Sequence, residues 1–357
     1  MVYNNSMNKS PEESIFIEVS PRNIGTNSAL IADSEERGEI LSVESLFQQS
    51  ISSIRNFSFE KSQPSSLIMK QYLVLARNYL NELREKCNLD FLKDSPKVLF
   101  FNTDDYCELR SKITGHWVSS KLNTTGAFVA YPLPEVFVLV DEDIPDYIMA
   151  SLGVHELIHR WIDTHVVVYS RREKILKKIR VSSRRSGLDL DKNRGEFINE
   201  LGNMVWQRNY IVHLLEQDEF EEQKNQRMEQ LKSFGVDEDS LYLFITLQNG
   251  DLLRFDMKNI YLDNSGDLLL SSKAIPFVMS QLVDDLSAVL GKIDGEVLEV
   301  LLLKAKINLK LQNKIKKAID LSFGRGFFNR LKKASYELKT SMELLKEVQK
   351  IRFGDNL

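Results

Sequence analysis

The stretch Val-His-Glu-Leu-Ile-His-Arg-Trp, residues 154–161, constrains this chain more than any other. His155 and His159 stand four positions apart. On an α-helix that spacing stacks them on one face, one turn apart. Val154, Leu157, Ile158 and Trp161 interleave with them, so the same helix must also be packed against something. Buried imidazoles need polar partners. Either a second element brings those partners, or one histidine is buried and hydrogen-bonded while the other stays at the surface.

Two imidazoles one turn apart can both reach a single metal ion at about 2.0–2.1 Å. Glu156, beside them, can touch a water on that ion without being a ligand, which is the geometry of a general base. Zinc is the expected cofactor, and it would lower the pKa of such a water to roughly 7. Glu156 would take the proton during attack on a carbonyl and pass it to the leaving amine. A catalytic zinc normally has three protein ligands and an open position, so a third ligand is required. Downstream, EFINELGN supplies Glu196 and Glu200, four apart on similar helix faces, and either could approach the ion.

The surrounding pattern is α+β. Residues 1–60 form a polar leader expected to be mostly disordered, with VESLFQQSISSIRNF (43–57) as a short amphipathic helix. In residues 66–87 apolar positions recur at three and four, predicting a helix. KVLFF (97–101) reads as a strand and DDYCELRSKIT as a helix begun by Asp104 or Asp105. GAFVAY (126–131) and EVFVLVDE (135–142) read as strands joined by the turn PLP. The motif helix is expected over 146–168, carrying His165. A basic connector (171–195) and a second helix (196–217) follow. Asn249-Gly250 marks a hairpin within a small β meander over 236–272. From 273 to 357 the chain reads as a helical subdomain, broken near Gly291, Gly295 and 324–326.

At this point the motifs resemble a known family. VHELIHRWID is similar to the active-site helix of the thermolysin-like gluzincins, V-x-H-E-x-x-H-x-x-x-D, at His155, Glu156, His159 and Asp163. Ile198-Asn199-Glu200 matches the first half of that family's second helix, I-N-E-x-x-S-D. The resemblance covers about residues 95–215. It implies a zincin-like core over 61–235, zinc ligands His155, His159 and Glu200, and Glu156 as base of a metallopeptidase. It also implies that an edge strand, EVFVLV or GAFVAY, binds the substrate backbone by strand addition. The chain departs from the family where Asn203 and Met204 replace Ser-Asp, so the Asp that orients the first histidine is missing. Asn203 or Asp163 could stand in. Regulatory zinc peptidases that cleave phage-type repressors have a ligand Glu followed three residues later by Asn; Glu196 with Asn199 fits that pattern and keeps Glu196 open. Transition-state stabilisation needs a further donor, for which Tyr210, His213, Tyr242, Tyr261, Arg325 and Tyr336 are available. A non-catalytic or regulatory protein retaining the fold is the rival reading.

Composition narrows the partners. A formal net charge of -4 over 357 residues argues against nucleic acid or an anionic membrane as partner. A peptide or protein substrate is the expected one. Two cysteines, Cys87 and Cys107, cannot make a disulfide framework and fit a reducing compartment. No readable signal segment or apolar run of about 18 residues occurs, so a cytoplasmic location is expected. The basic connector RREKILKKIRVSSRR reads as a solvated helix and loop, with an acidic partner or nucleic acid as the alternative. Residues 301–319 read as one basic amphipathic helix packed by its Leu/Ile face. His116 reads as structural.

Overall fold

A computed structural model describes residues 14–19, 52–63, 67–92, 97–114, 126–129, 135–162, 165–171, 179–186, 188–190, 195–236, 242–246, 250, 252–268, 275–308 and 310–354. In chain order the elements are β1 (Ser14–Val19), α1 (52–61), α2 (Leu67–Lys86), β2 (Val98–Phe101), α3 (Thr103–Thr114), β3 (Ala127–Val129), β4 (Val136–Leu139) and α4 (Asp146–Trp161). Then come β5 (His165–Arg171), β6 (Ile179–Ser186), β7 (Asp189–Leu190), α5 (Glu196–Leu215), α6 (Glu221–Ser233), β8 (Tyr242–Thr246) and β9 (Leu252–Asp256). Five helices close the chain: α7 (Ile275–Leu290), α8 (Leu298–Ala305), α9 (Lys310–Phe323), α10 (Phe327–Lys333) and α11 (Leu338–Phe353). The fold is mixed α+β with small sheets. Among the described residues no helix is long and apolar enough to cross a membrane.

The sheet that positions the motif has strand order β2-β4-β3. β2 runs parallel to β4, and β3 pairs antiparallel at the edge, Phe128 opposite Phe137. Successive residues of β4 point to opposite faces. Val136 and Val138 join the main core with α4, whereas Phe137 packs with Phe101, Tyr106 and Leu109 in a second cluster beneath α3. Ile54 and Phe57 of α1 close that second cluster. Helix α4 is therefore sandwiched between the sheet and α5, which is why it is apolar almost all round.

Several expectations are corrected. The motif helix ends at Trp161, not 168, and His165 opens β5. Val166, Val167 and Val168 are β-branched and favour the pleated form. The basic connector is a hairpin, β5 with β6, extended by β7. Residues 14–19 of the supposed leader complete that sheet in the order β1-β5-β6-β7. The meander has two strands, β8 and β9. Its third segment forms only an isolated bridge, Leu262 with Leu268. The basic helix over 301–319 is two, α8 and α9. The PLP turn, Asp163, His116 and residues 43–50 lie outside the described residues. Helix breaks do fall at Gly291 (φ 61°) and Gly324 (φ 95°), where only glycine takes the left-handed conformation without strain.

The C-terminal helices share the core of the rest. One continuous buried cluster runs from Met69 on α2 to Val348 on α11. α5 is its centre, touching α2, α4, α7, α8 and α10.

Candidate metal centre

Helices α4 and α5 lie side by side, and their facing surfaces carry the polar residues that would otherwise be misplaced in an apolar core. His155 and His159 point from α4, and Glu200 from α5. His155 Nε2 lies 2.9 Å from Glu200 Oε2, and His159 Nε2 lies 3.1 Å from Glu200 Oε1. The imidazole centroids are 5.1 Å apart. One donor atom from each of the three residues falls within 4.8 Å of the others. A tetrahedral ion with bonds of about 2.0–2.1 Å holds its donors roughly 3.3 Å apart. The two histidine–carboxylate distances would need to open by only a few tenths of an ångström. This buried group could hold a metal ion.

The tautomer of His155 is set by its neighbours. Gln207 Nε2 donates to Ser151 Oγ (3.0 Å), and Ser151 Oγ donates to the Ile148 carbonyl (2.6 Å). So oriented, Gln207 Oε1 accepts from His155 Nδ1 at 3.1 Å. The proton of a neutral His155 is thereby held on Nδ1, and the Nε2 lone pair faces the Glu200 carboxylate. Burial alone would raise the Glu200 carboxyl. When the imidazoles are protonated, the charge of His159 and hydrogen bonds from both rings outweigh burial and hold Glu200 well below the usual carboxylate range. A nitrogen lone pair and a carboxylate oxygen 2.9 Å apart repel unless a cation lies between them, whether a proton or a metal. The donor set fits a metal.

Helix α5 is fixed to its neighbours on all sides. Lys306, fully buried beside α8, donates to the carbonyl (3.2 Å) and to Oδ1 (2.8 Å) of Asn199. Asn199 Oδ1 also accepts from the Leu188 backbone N–H, tying the start of α5 to β7 (2.9 Å). That leaves Asn199 Nδ2 at 3.5 Å from His159 Nδ1. On the far side of α4, Arg84 of α2 donates to the Trp161 carbonyl (2.6 Å) and so satisfies one of the orphan acceptors at the helix end.

The other candidate residues divide clearly. Glu196 is outside the three-residue group, and burial and the charge of Glu200 raise its carboxyl. Glu156 is half-buried, and its charge acts on two phenols. Tyr336 is raised first by burial, then by Glu200, Glu156 and Glu196. Tyr106 is raised by burial, then by Glu156. Both stay protonated donors. Tyr210 Oη donates to the Tyr72 carbonyl, His213 packs on the ring of Tyr79, and Tyr242 lies beneath the Arg254 guanidinium. Tyr261 is buried. Arg325 is exposed in the turn between α9 and α10. Gln207 and Lys306 were not legible as site residues. The signal for Gln207 was its place seven beyond Glu200, two turns along the same face. No known protein family, curated protein or solved structure matches this chain.

Proposed function

We propose that the chain is a zinc-dependent peptidase, with His155, His159 and Glu200 as the metal-binding residues and Glu156 as general base. The observation that carries this reading is the convergence of three metal-donor atoms in one buried group, with His155 held in the tautomer that frees Nε2. Zinc bound there would supply Lewis acidity and lower the pKa of a water to about 7. Everything else falls to the chain. Glu156 follows His155 directly on the same helix, adjacent to the group but outside it. Its role is to accept the proton of the attacking water and return it to the leaving amine. Tyr336, kept protonated by burial and by the charges of Glu200, Glu156 and Glu196, is the candidate donor for charge that develops on the carbonyl oxygen.

β3 supports a peptide as substrate. It is the antiparallel edge of the sheet and lies against α4, where Gly126 approaches Leu152 closely. A peptide laid along such an edge would run beside the motif helix, held by backbone hydrogen bonds. Of the two strands offered by the sequence, EVFVLV is central in the sheet, so GAFVAY takes this role.

The test combines metal content with turnover. Wild-type protein should carry about one zinc per chain, and His159→Ala should lose it. Glu156→Gln should keep zinc and lose cleavage of a fluorogenic peptide library. Equal zinc in wild type and His159→Ala would overturn the centre. Full cleavage by Glu156→Gln would overturn the base assignment.

A further inference from the structure

Asn203 sits one turn beyond Glu200 on α5 and is fully buried. Its side-chain nitrogen lies 2.7 Å from His159 Nε2, the atom that also meets Glu200 Oε1 at 3.1 Å. The two contacts make opposite demands. Toward Glu200, Nε2 must carry a proton or a cation. Toward an amide N–H, it must present a lone pair. The other end of the amide, Oδ1, is buried and has no hydrogen-bond partner among the described residues.

The contradiction ends if the amide is turned over, since its oxygen and nitrogen have nearly the same shape. The oxygen then faces Nε2, and the pocket holds four electron-pair donors: two imidazole nitrogens, a carboxylate oxygen and an amide oxygen. In either orientation one end of the amide has no partner among the described residues. A buried polar group of that kind is costly unless its partner is something the chain binds. At 2.7 Å from Nε2 the amide touches the same ring atom that meets Glu200, and it would open toward the roughly 3.3 Å spacing of two donors on one small cation.

We propose that Asn203 is the fourth donor of the centre, its amide oxygen binding the ion beside His155, His159 and Glu200 and closing the resting site. This rests on the zinc reading above. Hydrolytic zinc centres keep one position open, whereas closed four-donor centres are structural. Here the fourth donor is a neutral amide, the weakest of the set and the one that leaves when a competing oxygen arrives. The resting protein is then latent, opened by whatever displaces Asn203.

The experiment uses the full chain, freed of metal and reloaded with Zn2+ or Co2+. Zn2+ affinity is measured by competition with a chromophoric chelator, and Co2+ coordination by visible absorption with thiocyanate added as a probe of an open position. Asn203→Ala should bind Zn2+ about 10–100-fold more weakly. Its Co2+ spectrum should shift with thiocyanate while that of the wild type does not. Asn203→Asp, which keeps an oxygen at the same place, should restore both wild-type properties. Three results would overturn the assignment: a wild-type Co2+ spectrum that responds to thiocyanate as the variant's does, a Co2+ spectrum unchanged by Asn203→Ala, or weakened Zn2+ binding that Asn203→Asp does not rescue. A wild type that binds neither metal overturns the centre itself, and is distinguished from these by the absence of any Co2+ band.

Discussion

His155 receives its orientation from Gln207, and Gln207 from Ser151, so the second nitrogen of the ring is governed by a relay that begins and ends on α4. Replacing Gln207 by Leu removes the acceptor of Nδ1–H and leaves a buried donor unpaired. Loss of such a supporting contact typically costs 10–100-fold in metal affinity. Gln207→Leu should therefore bind Zn2+ about 10–100-fold more weakly in chelator competition, and an unchanged affinity would show that the relay does not orient the ring. The histidine pair was legible because its spacing is local. The relay was not, because the acceptor is sought where the gluzincins place it, four beyond the ligand. That position is Met204 here, and the next turn of the same face supplies Gln207 in its stead. Glu200 and Glu196 could not be separated by spacing. Only the rotation of α5 against α4 aims one of them at both histidines.

Helices α5 and α8 meet at Gly202. A Cβ there would come within 3.3 Å of Lys306 Cε and 3.5 Å of Leu302 Cβ. The Lys306 side chain has little room to yield, because its ammonium is held by Asn199. Gly202→Val should therefore destabilise the protein by about 1–3 kcal/mol through overpacking, read as a lower urea midpoint at unchanged slope. Elements with strong periodicity were legible: α2, the β2–α3–β3–β4 order, α4, α5 and the helical C-terminus. β5 was hidden because His165 to Val168 continue the apolar run of the motif helix, and β6 because Arg180, Arg184 and Arg185 interrupt the alternation on which a strand reading depends. β1 was hidden differently. Ile15, Phe16, Ile17 and Val19 suit a strand, yet six residues in a polar leader say nothing about a partner so distant in the sequence.

At the scale of the molecule, a buried polar network ties the site helix to the C-terminus. Arg208 of α5 donates to Asp284 of α7 and to Asn259 (both 2.7 Å). Next to it, Asp285 accepts from Gln349 (2.8 Å) and pairs with Arg352 of α11. Asp284→Ala should cost about 3–5 kcal/mol, since it strands a buried guanidinium. The two carboxyls respond to pH in opposite senses. Burial raises Asp284, but Arg208 and Lys258 outweigh it and hold the group below its ordinary value. Its contribution to stability is present above the unfolded pKa and is lost as pH falls through the lower folded one. Burial dominates at Asp285, over its bonds to Gln349 and Arg352, and raises it. It therefore costs stability as pH rises from its unfolded value to the higher folded one. Asp284→Asn should flatten the acid limb of stability below about pH 4, measured as urea midpoint against pH. An acid limb as steep as that of the wild type would show that Asp284 does not carry it.

The pairing of β1 with β5 has a consequence in time. Ser14–Val19 leave the ribosome before α4 exists, while their partner, His165–Arg171, is made only after it. A nascent chain thus carries an unsatisfied strand edge throughout synthesis of the first half of the site. Docking of that strand can only follow emergence of the helix that bears both histidines. Closure of this sheet is then a long-range event, slow by the same entropy that slows any distant pairing.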